Sequence, residues 1–465
     1  MKTYISATLL WCLTCVLQAQ NNCKIDFTLV NYPDSVLYIK GNYGEQILNI
    51  DTLFKDKNNT FHLRKPLHKG IYRAGNNEID FFSFVVNEDY DFALTVYPSG
   101  RGEALRSVEN NLFMQFQYVV SMGSVREYQI KKAIQETTDE TVQNRLFQSL
   151  DSLNKAMIGY EFEFFKEHPD HISTKIMLSL QDPKIPVDFL DPTGKQPDTN
   201  KVQDYILYMR NHYWDSIPLE NDFWLRTPYF YPKFKAYMNE LATPEADSVY
   251  ANLKRFLNIC RQRGALAAYR YAIEYYLGYL SPRSLSFDEI MYVHLVDDFI
   301  ATDNADWLPV SELQKHKTHA DKVRKRLPGQ PARELVLKDA DGKTHSLLNT
   351  GHRYVLLLFW SHGCTHCVKE LPALLKFYDK YHEKLDMEIF AVEIGPDRIQ
   401  WKNYISENPM PWVNVYAPHP LSQYDYPMSQ TPDFYLIDHK GKIVSHTILY
   451  PHVLQILENL AKSHR

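Results

Sequence analysis

Hydrophobic spacing changes along the chain, and each change predicts a different architecture. From Lys24 to about Tyr97 apolar and polar residues alternate in short runs, Ile25-Asp26-Phe27-Thr28-Leu29, Val36 to Ile39 and Phe92-Ala93-Leu94-Thr95-Val96. A period of two sends successive side chains to opposite faces, so these are half-buried strands. Asn42-Tyr43-Gly44, Lys57-Asn58-Asn59 and Gly75-Asn76-Asn77 supply turns between them. The expectation over residues 21–100 is a small antiparallel β-sandwich with nothing catalytic visible in it.

Beyond Ser99-Gly100-Arg101-Gly102 the spacing lengthens to threes and fours. Val142, Leu146, Leu150, Leu153, Met157, Tyr160 and Phe164 form the stripe of an amphipathic helix, which His168-Pro169 ends. A proline-rich loop, Asp182 to Asp198, precedes further helices over Lys201 to His212, Pro232 to Leu241, Pro244 to Arg261, Ala265 to Leu277 and Phe287 to Ile300. Residues 101–325 therefore read as a central all-α domain. Within it, Asn211 to Tyr237 concentrates Tyr213, Trp214, Phe223, Trp224, Tyr229, Phe230, Tyr231, Phe234 and Tyr237, either as a groove for peptide or glycan or as packing between short helices.

The pattern changes again near Leu327-Pro328-Gly329. Glu334 to Asp339 and Lys343 to Leu347 flank Ala340-Asp341-Gly342 as a hairpin. Tyr354 to Phe359 is an unbroken apolar run, the mark of a strand buried on both faces. Strands at Met387 to Val392, Val413 to Tyr416, Asp433 to Ile437 and Lys442 to Ser445 follow, with helices from Arg398 to Glu407 and Pro451 to Lys462. Residues 326–465 should form an α/β domain with a mixed sheet covered on both faces.

Composition narrows the function classes. A chain of 465 residues with 45% apolar and 23% charged content is an ordinary multidomain globular protein. A formal charge of -5 over that length argues against nucleic acid as a partner, and the basic run Lys315 to Arg326 reads as a solvated helix or linker. Residues 1–20 have the form of an export signal: Lys2, an apolar stretch from Ile5 to Leu17 too short to span a membrane, then Ala19-Gln20. The expected location is the periplasm, with no transmembrane segment. Cys23 raises the question of a lipid anchor, but Gln20-Asn21-Asn22 lacks the small residues such processing requires.

With the signal removed, Cys23, Cys260, Cys364 and Cys367 remain, in a compartment where disulfides persist. Cys23 and Cys260 read as a thiol in a loose terminus and a buried helical thiol, with a bridge between them as the alternative. Cys364-Thr365-His366-Cys367 stands where the strand ending at Phe359-Trp360 gives way to a helical pattern. A helix N-terminus favours a thiolate, so Cys364 should be the nucleophile and the less accessible Cys367 the resolving thiol. His366, with Thr365 beside it, can pair with the thiolate and shift the couple towards oxidation. Pro372, inside the helix, should kink it.

Phe359-Trp360, Cys364-Thr365-His366-Cys367, Glu370-Leu371-Pro372 and Thr431-Pro432 together resemble the thioredoxin-fold thiol–disulfide oxidoreductases of the TlpA/ResA kind. The order of a β domain, a helical domain and then this one also looks like larger bacterial envelope members of that group. The resemblance implies a cis Pro432 facing the dithiol, substrate binding by Trp360, Thr431 and Pro432, and exchange with protein thiols and disulfides of the envelope. Thr365-His366 resembles the centre of DsbA-like oxidants, whereas the surrounding domain looks like a reductase, so the direction of exchange is left open. Thioredoxin has an acid immediately before Phe-Trp; here Leu358 stands there, and Glu393 is the candidate proton acceptor for Cys367. No cofactor is expected beyond a redox-active Cys364–Cys367 disulfide. No metal is expected either, because His362, Cys364, His366 and Cys367 lack a distant second ligand pair. The alternative is an envelope binding or scaffolding protein whose thioredoxin-like end is regulatory or vestigial.

Overall fold

A computed structural model describes residues 21–189, 201–239, 241, 246–280, 286–302, 305–417, 426 and 430–463. Residues 1–20, expected to be an export signal, and much of the proline-rich loop lie outside these. The described residues fall into two compact units, one drawn from Met1–Pro244 and Ala251–Ala272, the other from Glu245–Tyr250 and Ile273–Arg465.

In the first unit the alternating runs form a two-sheet sandwich. One sheet orders its strands Gly102–Leu105, Asp91–Val96, Lys24–Leu29 and Thr60–Leu63; the other orders Gln46–Phe54, Val36–Tyr43, Gly70–Gly75 and Asp80–Val86. Ile25, Phe27, Leu37, Ile39, Phe84, Phe92 and Leu94 point into one core between them. Two details differ from the sequence expectation. Lys24–Leu29 pairs in parallel with Asp91–Val96, because the intervening chain crosses to the other sheet before returning, and the sandwich extends to Leu105. Cys23, expected in a loose terminus, is buried in this core, its backbone N–H bonded to Lys65 O at 3.1 Å.

Ser107 caps the helix Val108–Glu136, and Asn110 ties it to the sandwich by bonding the Val85 backbone N–H and carbonyl at 2.8 and 2.9 Å. Asp139 caps Glu140–Glu167, which returns alongside and ends at His168 as expected. The helices come close where Gly123 meets Met157: a Cβ there would lie 2.5 Å from the Met157 sulfur. Shorter helices follow, Val202–His212, Phe230–Asn239, Ala246–Gln262 and Leu266–Leu280 among them. The aromatic segment is packing. Tyr213, Trp214, Phe223, Trp224, Phe230, Phe234 and Tyr237 are all buried, with Trp214 against Phe256 at 4.8 Å between ring centroids.

The second unit carries helices α1 (Ser286–Leu295) and α2 (Val310–Arg324), then β1 (Val336–Lys338), β2 (Thr344–Ser346), β3 (Tyr354–Trp360), α3 (Thr365–Leu385), β4 (Met387–Glu393), α4 (Arg398–Glu407), β5 (Val413–Tyr416), β6 (Asp433–Asp438), β7 (Ile443–Thr447) and α5 (Tyr450–Ser463). The strands form one sheet in the order β2-β1-β5-β4-β3-β6-β7. β3, β4 and β5 run parallel, while β6 and β7 are antiparallel additions. Leu356, Leu358 and Trp360 face a core with α3 and α5, and Val355, Leu357 and Phe359 face a second core with Tyr426, Tyr435 and Ile437. That double burial explains the unbroken apolar run. The basic run lies on α2 and just beyond it. Lys315 and Arg324 form exposed ion pairs with Glu312 and with Asp297 and Asp321, but Arg326 is buried.

Candidate active site

β3 lies inside the sheet with β4 on one side and β6 on the other, so its C-terminal end delivers the chain between them. After Trp360 the backbone turns through Ser361-His362-Gly363, closed by the Cys364 N–H donating to Ser361 O at 3.0 Å. Cys364 then caps α3: its sulfur accepts from the Cys367 N–H at 3.2 Å. Facing it, the carbonyl of Thr431 lies 3.6 Å from the Cys364 sulfur and accepts from the thiol. The Thr431–Pro432 bond is cis and stands directly before β6, whose Asp433 pairs with Phe359 of β3. A capping sulfur and a facing backbone carbonyl thus converge at one edge.

The two thiols are driven in opposite directions. At Cys364 burial disfavours the thiolate. Bonds from the Cys367 thiol, the Thr431 side chain and the backbone N–H groups of Cys367 and His366 outweigh it, and the pKa is lowered. At Cys367 burial, reinforced by the Cys364 sulfur, pushes the pKa up to about 12. Of the two sulfurs the more accessible one therefore ionises first, and the buried one keeps its proton longer.

Glu393, the last residue of β4, is 0% exposed and holds the turn from below. One oxygen accepts from the His362 N–H at 3.0 Å; the other accepts from the Gly395 N–H at 2.8 Å and lies 3.3 Å from the His362 ring. A Cβ at Gly395 would lie 2.5 Å from that oxygen, so a side chain there would displace the buried carboxylate.

A family model described as thioredoxin-like matches residues 351–443. The thiol-disulfide oxidoreductase ResA of Bacillus cereus is 30% identical over 129 residues, which are 28% of this chain and 73% of the relative. The chain belongs to the ResA-like thiol-disulfide oxidoreductases. ResA of Bacillus subtilis is 30% identical over 116 residues, 25% of this chain and 64% of its own. The solved thioredoxin domain of a thiol-disulfide oxidoreductase from Bacteroides vulgatus is 30% identical, covering 28% of this chain and 97% of that one with a TM-score of 0.26.

In this ResA-like oxidoreductase Cys364, Cys367, Thr431 and Pro432 come together as the sequence predicts, while Thr365 and His366 lie exposed on the first turn of α3. Trp360 does not join them. It is 0% exposed because β3 continues one residue further than the apolar run suggests, and its indole packs on Tyr404 at 5.7 Å, so it offers no face to a substrate. Leu358 is in the core, leaving no acid at that position. Among the described residues the Glu393 carboxylate bonds His362 and Gly395, and not Cys367. His362 as a partner of Glu393 escaped the sequence reading, and the one signal for it was its place in the turn. No disulfide forms among the described cysteines, and burial raises the pKa of both Cys23 and Cys260. Among the described residues no three His, Cys, Asp or Glu side chains are grouped to hold a metal ion, and no helix is long and apolar enough to cross a membrane.

Proposed function

We propose that this oxidoreductase is exported and exchanges disulfides with proteins of the cell envelope, with Cys364 as attacking thiol, Cys367 as resolving thiol and their disulfide as the redox group. The lowered pKa of Cys364 at the α3 N-terminus, beside the buried and protonated Cys367, carries this reading. The Cys364 thiolate attacks one sulfur of a client disulfide, forming a mixed disulfide and releasing the other client sulfur as a thiolate. Cys367 then loses its proton and attacks the Cys364 sulfur, releasing the second client thiol. The client gains two electrons, and the Cys364–Cys367 pair loses them. The reverse steps give a client its disulfide, and the potential of the partner sets the direction.

The segment Thr431–Pro432 offers its backbone to the client, and Thr365-His366 biases the couple towards oxidation. With Glu393 as proton acceptor, the proton crosses by way of His362 or water, because the carboxylate holds His362 and Gly395 directly. Export rests on the apolar run Ile5 to Leu17 behind Lys2. Burial of Cys23 in the sandwich supports a chain without a lipid on that sulfur.

The test is trapping. Cys367→Ala should accumulate mixed disulfides with envelope proteins, and Cys364→Ala should not. Equal trapping by both would overturn the roles, and failure of the wild-type pair to form a disulfide at any glutathione poise would overturn the function.

A further inference from the structure

The second unit buries a chain of charged side chains that the dithiol mechanism does not use. Asp433 is 0% exposed, His446 1%, Glu289 2% and Arg326 4%. The Asp433 carboxylate meets His446 Nε2 at 2.7 Å, His446 Nδ1 meets Glu289 at 3.1 Å, and Glu289 is ion-paired with Arg326. Tyr435, beside Asp433 on β6, packs its ring 4.5 Å from that of His446. The chain of contacts runs from beyond α2, through α1, across β7, to the first residue of β6. The other Asp433 oxygen is buried and accepts no hydrogen bond from the described residues.

Desolvating four charged groups costs more than apolar packing of the same volume, so stability alone is a poor account of this arrangement. What it supplies is position. Asp433 follows Pro432 directly, and Thr431, the residue before that proline, places its carbonyl 3.6 Å from the Cys364 sulfur. A proline ring fixes one of the few torsions between them, so a shift of Asp433 is passed to Thr431.

We propose that Arg326, Glu289, His446 and Asp433 are positioning residues that hold the Thr431–Pro432 segment against Cys364, which makes α1 a structural part of the redox site. The proposal rests on the dithiol reading above. It adds that the reactivity of Cys364 depends on a helix lying upstream of the thioredoxin-like match.

The experiment uses the full reduced chain and measures the rate of Cys364 alkylation against pH, with the Cys364–Cys367 potential against glutathione and far-UV circular dichroism as companions. Loosening the segment withdraws the Thr431 side chain, whose hydrogen bond favours the thiolate, so Glu289→Gln should slow alkylation at pH 7 by about threefold or more at unchanged circular dichroism. Should Glu289→Gln fail to fold, Arg326→Met and Arg326→Lys decide: Met should slow alkylation and Lys should restore it. A lower melting temperature with an unchanged alkylation profile and potential would overturn the positioning role. A wild-type chain that forms no Cys364–Cys367 disulfide would instead overturn the dithiol reading, so the two failures are distinct.

Discussion

The C-terminal unit holds charge in two ways. At Cys364 a half-buried sulfur has its thiolate favoured by a neighbouring thiol and backbone N–H groups, with solvent on one side. At His446 a fully buried ring lies between Asp433 and Glu289. Burial alone would lower the His446 pKa, but the two carboxylates outweigh it and raise it to about 9. Dipoles at an edge leave a charge that can leave or attack, while counter-ions in a core fix a charge in place. The first suits a nucleophile and the second suits a brace.

Removing a counter-ion should break that contrast most severely. Asp433→Ala leaves His446 facing Glu289 without its nearer partner and should cost about 3–5 kcal/mol in denaturant unfolding, the range for a broken buried pair. A loss near that of an exposed pair would mean that the core charge is not fixed. pH should give the next largest effect. The folded-state pKa of His446 lies above its unfolded value, so its contribution is fully present below pH ~6.5 and is lost as pH rises through about 9. The melting temperature should therefore fall by several degrees across that window, and His446→Gln should flatten the fall. A wild-type curve already flat there would place no buried proton on His446.

At the dithiol the effects are kinetic and smaller. His366→Pro removes a backbone N–H that favours the Cys364 thiolate, and should slow alkylation at pH 7 by about threefold to tenfold. His366→Ala keeps that N–H and removes the ring alone, so its effect should be under about threefold. If the two variants behave alike, the ring rather than the backbone stabilises the charge. Smallest of all should be the reaction of Cys260 with the same reagent. Burial raises its pKa, and labelling comparable to that of Cys364 would remove the distinction between edge and core sulfur.

Local pattern made much of this legible. The period of two marked the sandwich, the unbroken run marked β3, and the bounds of α4 and β5 match the expected residues. Cys364 and Cys367 were legible because turn and cap are local features, whereas Thr431 and Pro432 facing them came from the family resemblance. Most of the misses are long-range. Nothing near Cys23 announces that its neighbours pair with Asp91–Val96, and the resemblance gave Trp360 to the substrate where one more strand residue, not to be told from the start of a turn, buries it. Glu289, Arg326, Asp433 and His446 come from four separate stretches, each of which reads singly as a solvated charge. Partners so far apart in sequence leave no periodic trace.

The buried position of Cys23 has a consequence for folding. With the proposed export signal removed, Cys23, Cys260, Cys364 and Cys367 are equally open to oxidants in the unfolded chain and could close into about three fully bridged connectivities. Only burial withdraws Cys23, and it depends on Lys24–Leu29 finding Asp91–Val96, a non-local pairing of the slow-forming kind. Oxidative refolding thus has an interval in which the N-terminal thiol can capture a wrong partner. Refolding under reducing conditions, followed by oxidation, should yield a single disulfide isomer where simultaneous folding and oxidation yields several.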